Sequence, residues 1–408
     1  MILTLEYYRS PTRYLTGRAT TGTPWGGRAA GAIAAHLSPM RLVTRPEPRP
    51  PAAAWTRVRP LLSGICGSDL GLLTGRNSPY LSAVISMPFT PGHEVVGQTL
   101  DELPDLPRGT RVVLDPVLGC APRAVTPCEH CTAGHPSRCD HVTAGAVAPA
   151  IQTGFCADTG GGWGRMLLAH ASQLHPVPER LDTELAVLVE PLACAIHAVR
   201  RVPVPDGAAV LVVGAGTVGL LTVLALREYT RAGPVYVVAK HGHQRQRARE
   251  LGATEVFSTE RAARALRRAT GGFLARPERG EEFLLGGADL AFECTGGGGL
   301  STALRSVRAG GTVVLSGMPN AGADLTPVWY RELNLVGAYA SSGRGQIPAG
   351  GADAGGDFAD ALALVASAPL AGFVDAVYPL SRWREAIGHA SAAGRLGTVK
   401  VAFDPTRD

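Results

Sequence analysis

The sequence predicts an α/β chain of two domains: an irregular, mainly β first part, then a doubly wound parallel sheet. Three observations predict it. At 408 residues the chain is too long for one ordinary core. The first part carries short apolar segments broken by Gly and Pro, as strands and loops are. From Asp182 onward short apolar strands alternate with helical patterns, and that alternation builds right-handed βαβ units.

In chain order, residues 2–9 read as a strand, and Thr16–Ser38 reads as a Gly/Ala-rich insertion with weak structural signals. Pro46, Pro48, Pro50 and Pro51 mark an extended linker, because proline joins neither a ladder nor a helix interior. Trp55–Leu62 alternates like a strand and delivers Cys66. Pro88–Leu100 gives a loop and strand around His93 and Glu94, and Arg111–Val117 is another short strand. A cysteine-rich lobe follows at 120–139, then a glycine-rich loop at Thr159–Gly164. Asp182 can cap a helix whose apolar positions run from Leu185 to Val199.

The alternating series begins with strand Ala208–Val213, helix Val218–Tyr229 and strand Val235–Ala239. Helix Gln244–Leu251, strand Glu255–Phe257, helix Arg261–Ala269 and strand Asp289–Cys294 continue it. Helix Leu300–Val307 and strands Gly311–Ser316 and Leu333–Tyr339 complete it. The tail reads as helix Asp357–Ala366, a segment Phe373–Pro379, a helix near Trp383–Ala393 and a strand Gly397–Phe403.

Composition narrows the function classes. A hydrophobic share of 45% and a charged share of 18% describe a soluble globular chain, and no apolar run is long enough to span a membrane. The first ten residues lack the basic start and apolar core of a secretory signal, so a cytoplasmic protein is expected. Eight cysteines in that compartment point to metal binding or reduced thiols before disulfides. The net charge of +5 is mild. Its bias towards residues 1–60 comes without a basic amphipathic helix or a nucleic-acid-reading module. That stretch reads as a solvated, loop-rich region, and neither nucleic acid nor membrane is an expected partner.

Val210–Gly219 carries the clearest motif. An apolar strand runs into Gly214-x-Gly216-x-x-Gly219 and then a helix, with Thr217 and Val218 inside the turn. Gly214 allows the tight turn, Gly216 the approach of a pyrophosphate, and Gly219 close packing of helix on strand. The helix N-terminus supplies amides and a positive dipole, so a dinucleotide is expected here. At the end of the second strand, where NAD enzymes place a carboxylate for the ribose, stand Ala239, Lys240 and His241, with Arg245 a turn on. A missing acid beside cations favours NADP over NAD.

Cys120, Cys128, Cys131 and Cys139 are spaced to close a tetrahedron around structural Zn²⁺. His130, His135 and His141 are interleaved, and the long first gap leaves Cys120 or a histidine as the fourth ligand. The remaining candidate donors are dispersed: Cys66 beside Ser68 and Asp69, then His93-Glu94, then Glu190. Donors scattered through a chain suit a catalytic metal site with one position open.

Together these residues resemble the zinc-dependent medium-chain dehydrogenases of alcohols, sorbitol and threonine. The resemblance rests on Gly-Ile-Cys-Gly-Ser-Asp at 64–69, Pro-Gly-His-Glu at 91–94, the four-cysteine lobe, Glu190-Pro-Leu, the glycine turn, and Phe292-Glu-Cys-Thr-Gly296 with its Thr295. It implies a Rossmann cofactor domain at 193–338, inserted in a GroES-like catalytic domain formed by 1–192 and 339–408. It implies catalytic zinc on Cys66, His93 and either Glu94 or Glu190, with the four cysteines holding the structural zinc.

Hydride would pass between the nicotinamide and a secondary alcohol, polyol or its ketone. In the family the hydroxyl matching Ser68 hands on the proton, and the carboxylate matching Asp69 orients the histidine. Two departures stand out. Many relatives carry a histidine five residues after the first cysteine, where this chain has Gly71, and the first gap of the cysteine lobe is widened to seven residues. Relatives are usually dimers or tetramers, so a homo-oligomer is expected. The competing readings are a zinc-free enoyl or quinone reductase on the same fold, and a nucleotide-binding protein without catalysis.

Overall fold

In a computed structural model, the structure describes residues 1–21, 26–319, 322–340 and 356–407. The chain divides into two compact units. Among the described residues, one contains 1–190 together with 356–407, and the other contains 191–340. Of the 339–408 portion expected to close the catalytic domain, residues 341–355 lie outside the described ones, as do 22–25 of the expected insertion.

The second unit holds a six-stranded sheet in the order Glu255–Phe257, Val235–Val238, Val210–Val213, Ala288–Glu293, Val307–Leu315, Asn334–Gly337. Every pairing in it is parallel. Its inner strands Val210–Val213 and Val235–Val238 are buried throughout, which explains their unbroken apolar sequences. The sequence series leaves 270–288 unassigned, and there the structure has an antiparallel hairpin, Phe273–Ala275 with Phe283–Leu285. Buried Arg331 fastens it, donating to the carbonyls of Leu284, Val307 and Leu304.

The first unit is built on a sheet in the order Val374–Tyr378, Lys400–Phe403, Trp55–Gly64, Val95–Thr99, Arg111–Leu114, Leu174–Pro176, with Leu167–His170 also paired to Trp55–Gly64. All pairings but the first are antiparallel. The order matters for the site: Lys400–Phe403, from the far end of the chain, lies beside Trp55–Gly64, which lies beside the strand that follows His93 and Glu94.

The N-terminal region departs from expectation. Ile2–Tyr7 pairs antiparallel with Met40–Arg45, and between them stand two helices, Pro11–Thr21 and Gly26–His36. Ile33, Ala34 and Ala35 are buried, so this is packed structure and not a solvated loop. Gly31 shows how: a Cβ there would lie 3.2 Å from the Ser391 Cβ and 3.3 Å from the Gly388 carbonyl oxygen, a close helix-to-helix approach. A smaller correction concerns 182–200. One helix was expected and two occur, Thr183–Ala186 and Val189–Arg200, with Asp182 at the N-cap but making no side-chain capping bond. No helix among the described residues is long and apolar enough to cross a membrane.

Candidate metal centres and nucleotide turn

Cys66 ends the approach from strand Trp55–Gly64 and caps a helix, Gly67–Leu73, that the sequence did not reveal. Asp69 turns back within that helix and its Oδ2 accepts from the Cys66 N–H at 2.9 Å. Asp69 Oδ1 lies 3.6 Å from His93 Nδ1, adjacent but too long for a hydrogen bond. His93 and Glu94 enter from the turn before Val95–Thr99, where Gly92 has φ 96° and a Cβ would lie 2.4 Å from the Trp163 ring, so only glycine fits. Phe155 stacks on the imidazole, with ring centroids 6.2 Å apart. One donor atom each from Cys66, His93 and Glu94 lies within 4.8 Å of the others. Glu190, buried in the first turn of Val189–Arg200, is outside that group, but its charge acts on His93.

The charged groups of this spot bias its ionisable side chains. Burial opposes a charged imidazole, yet Asp69, Cys66 and Glu190 outweigh it and hold His93 well above its ordinary value. Lys400, which the motifs did not single out, is buried here as well. Its ammonium forms an ion pair with Glu94 and donates to the Ile65 carbonyl at 3.2 Å. Gly64 makes room for the pair, since a Cβ would collide with Glu94 Oε2 and lie 2.7 Å from the Lys400 Cε. A sulfur, an imidazole nitrogen and a carboxylate converging in negative surroundings suit a divalent zinc ion. The sequence did carry a signal for Lys400: it is one of only two lysines among 39 basic residues, and the other is Lys240 at the nucleotide turn.

The second cluster is tighter. Cys120, Cys128, Cys131 and Cys139 present their sulfurs within 4.8 Å of one another, all as free cysteines. Backbone amides serve the sulfurs: Cys128 N–H donates to Cys120 Sγ, His141 N–H to Cys139 Sγ and Cys120 N–H to Cys131 Sγ, at 3.3–3.5 Å, and the Asp140 and Cys131 amides act on Cys128. Such N–H···S bonds stabilise thiolates. His141 Nδ1 stands 3.3 Å from Cys120 Sγ, beside the four sulfurs. The widened gap has a structural use. It carries Arg123, fully buried, whose guanidinium donates to the carbonyls of Leu118, Ala144, Val147, Ala148 and Ala150 and so ties the lobe to the loop after it.

In the other unit the three glycines of the turn differ in conformation and surroundings. Gly214 has φ 99° and donates to the Val238 carbonyl at 3.0 Å. A Cβ on Gly219 would lie 2.1 Å from the Gly214 carbonyl oxygen, whereas a Cβ on Gly216 would meet nothing within 4 Å. Gly216 caps helix Thr217–Tyr229 and faces open space, where a pyrophosphate would need it. Thr295 packs its Cγ2 against Gly214 and donates from N–H and hydroxyl to Glu293, which is buried. Ala239 is buried at the strand end, and Lys240 is exposed. Arg245 Nη1 donates to the carbonyls of Ala239 and Lys240 at 3.3 and 3.0 Å. His241 caps the following helix, Gly242–Glu250.

Comparison with known proteins decides the family. Residues 52–179 match the alcohol dehydrogenase GroES-like domain, and residues 217–353 match the zinc-binding dehydrogenase family. Sorbitol dehydrogenase of Arabidopsis thaliana is 30% identical over 290 residues, 69% of this chain and 73% of the relative. The chain belongs to the zinc-type medium-chain alcohol and polyol dehydrogenases. L-idonate 5-dehydrogenase of Vitis vinifera is 28% identical over 69% of this chain and 72% of its own. Among solved structures, a Sinorhizobium meliloti 1021 protein assigned to the zinc-binding dehydrogenases and bound to NADP superposes with TM-score 0.67 at 26% identity, covering 90% of this chain and 95% of its own. A medium-chain dehydrogenase of this type is an NAD(P)-linked oxidoreductase of alcohols and polyols, on a GroES-like domain and a Rossmann domain.

Proposed function

We propose that this dehydrogenase is zinc-dependent, prefers NADP, and acts on a secondary carbinol flanked by further hydroxyls, or on the matching ketone. The carrying observation is the convergence of Cys66, His93 and Glu94 in a chain whose relatives are named for sorbitol and L-idonate, both compounds with adjacent secondary hydroxyls. Cys66, His93 and Glu94, with Glu190 as the alternate carboxylate, would hold the catalytic ion, and the four lobe cysteines a structural one. Zinc supplies a Lewis acid that lowers the pKa of a bound alcohol, and the nicotinamide supplies the hydride acceptor.

The chain's own residues do the rest. Asp69 faces His93 Nδ1 and orients the ring, as partners of metal-bound histidines do. Ser68, partly exposed two residues after Cys66, takes the proton that the alcohol gives up. Gly214, Gly216 and Gly219 seat the pyrophosphate. The absence of an acid at Ala239, with Lys240 and Arg245 adjoining, leaves a place for a 2′-phosphate. The NADP-bound relative supports that preference. The same reading carries a cytoplasmic homodimer or homotetramer. The sheet's edge strand Asn334–Gly337, with exposed Leu335 and nearby Trp329 and Tyr330, offers an edge for assembly.

The test is a panel of polyols and ketones with both cofactors, followed by nicotinamide absorbance, together with metal analysis. The expected result is turnover of a polyol, faster with NADP, and about two zinc ions per chain. Reduction of enones at about one zinc ion per chain would favour the reductase without a catalytic zinc instead.

A further inference from the structure

Without a histidine at position 71, Ser68 has no side chain there to receive its proton. What occupies that space is specific. A Cβ built on Gly71 would lie 2.2 Å from Asn77 Oδ1, so the Asn77 carboxamide fills the volume that a side chain at 71 would claim. The backbone holds it there: the N–H groups of Arg76 and Asn77 both return to the Gly71 carbonyl, at 2.8 and 3.4 Å. Asn77 Nδ2 donates to the Ser68 carbonyl at 3.2 Å. That bond also fixes which end of the amide is oxygen, because the flipped amide would set oxygen against oxygen. Asn77 is only 8% exposed, yet its Oδ1 has no hydrogen-bond partner among the described residues. A buried amide oxygen left without a donor is costly, and proteins commonly satisfy such an atom with an ordered water.

We propose that Asn77 stands in for the missing side chain at 71. It is a positioning residue that steadies Ser68 through its carbonyl and holds, on Oδ1, the water that receives the proton from Ser68. The inference rests on the reading of Ser68 as proton carrier. During oxidation the C–H bond breaks and its electron pair leaves with hydrogen as hydride to the nicotinamide. The hydroxyl proton of the substrate goes to Ser68 Oγ while Ser68 gives its own to the water, and the water passes one to solvent. Asn77 accepts a hydrogen bond throughout and neither gains nor loses a proton. Gly71 and Asn77 are therefore a matched pair, since a side chain at 71 and the carboxamide of 77 exclude each other.

The experiment compares the parent with Ser68→Ala, Asn77→Ala, Asn77→Ser, Gly71→Ala, Gly71→His and the doubles of the last two with Asn77→Ala. Readouts are kcat, KM and the solvent deuterium isotope effect with the best polyol of the panel, and melting temperature of the metal-free, cofactor-free protein. Ser68→Ala should lower kcat by about 100-fold or more. Asn77→Ala should lower kcat about tenfold at nearly constant KM, with a larger isotope effect. Gly71→His should restore turnover in the Asn77→Ala background, where there is room for it.

Without any substrate, Gly71→Ala should lower the melting temperature when Asn77 is present and leave it unchanged when Asn77 is replaced. Parental rate and isotope effect in Asn77→Ala, beside an impaired Ser68→Ala, would overturn the role of Asn77 and leave Ser68 standing. A rate loss with no change in isotope effect and no rescue would also overturn it. A parental Ser68→Ala would overturn both readings. Should Asn77→Ala not fold, Asn77→Ser is read by the same outcomes.

Discussion

Lys400 and Glu94 form an ion pair in which both side chains are 2% exposed, and that burial sets what each is worth. Two charges taken from water gain little net stability as a pair, but removing one leaves the other stranded at a cost of about 3–5 kcal/mol. Lys400→Met should therefore destabilise the metal-free protein by that order. Adding zinc should recover part of the loss, because the cation supplies the counter-charge that Glu94 has lost. Urea denaturation with and without zinc checks it, and an equal deficit in both conditions would mean that Glu94 does not face the ion. Cys66 and His93 could be paired from the sequence only through the family resemblance their short motifs carry, with Glu94 and Glu190 left as alternatives, and the structure groups them with Glu94. Lys400 was not legible in the sequence, because it reaches the site from a strand 335 residues beyond Ile65, and only the sheet order brings them together. Its rarity in an arginine-rich chain was the one available sign.

The helices Pro11–Thr21 and Gly26–His36 escaped the sequence reading for a different reason. Helices of 11 residues have little intrinsic stability on their own, and most helical stability in proteins comes from tertiary packing. For Gly26–His36 that packing is supplied by helix Trp383–Leu396, through the close approach at Gly31, and Pro11–Thr21 packs on Gly26–His36 in turn, so the deciding residues lie at the other end of the chain. The alternating strands and helices of 208–339 were legible because they follow one another as strand and helix, and the hairpin at 273–285 was not, because its two short strands break that alternation.

Another junction between distant elements is pH-sensitive. His175, in strand Leu174–Pro176, stacks on Phe358 of helix Asp357–Val365 with ring centroids 4.6 Å apart. Burial pushes it down to about 4, from an ordinary value near 6.5. The folded chain thus binds this proton less well than the unfolded chain. Its contribution is fully present above the unfolded value of about 6.5 and is lost as the pH falls towards 4, by about 2–3 kcal/mol. His175→Phe should keep the stack and flatten stability between those values. Denaturant midpoints of variant and parent at pH 5 and pH 7 check this, and an unchanged pH dependence would show that His175 does not govern it.

Every residue assigned to a metal lies within 1–190, and every residue assigned to the dinucleotide lies within 191–340. The second block is continuous in sequence, has its own parallel sheet and its own buried core, and so has what a domain needs to melt as one cooperative body. A ligand that binds only the native form of one unit stabilises that unit by mass action, about 2.7 kcal/mol at 100 times Kd. For a unit of this size that shifts melting by about 5–10 °C. Calorimetry should accordingly show two transitions. NADP should raise the one that belongs to 191–340 and leave the other within error, while a zinc chelator should lower only the other, because neither group of metal-ligand candidates contributes to the parallel sheet. The assignment of transitions can be fixed with Gly219→Ala, which drives a Cβ into the Gly214 carbonyl oxygen and should depress the NADP-sensitive transition alone. A single transition that moves with both ligands would show that the units unfold as one, and the division of labour between them would then be chemical without being energetic.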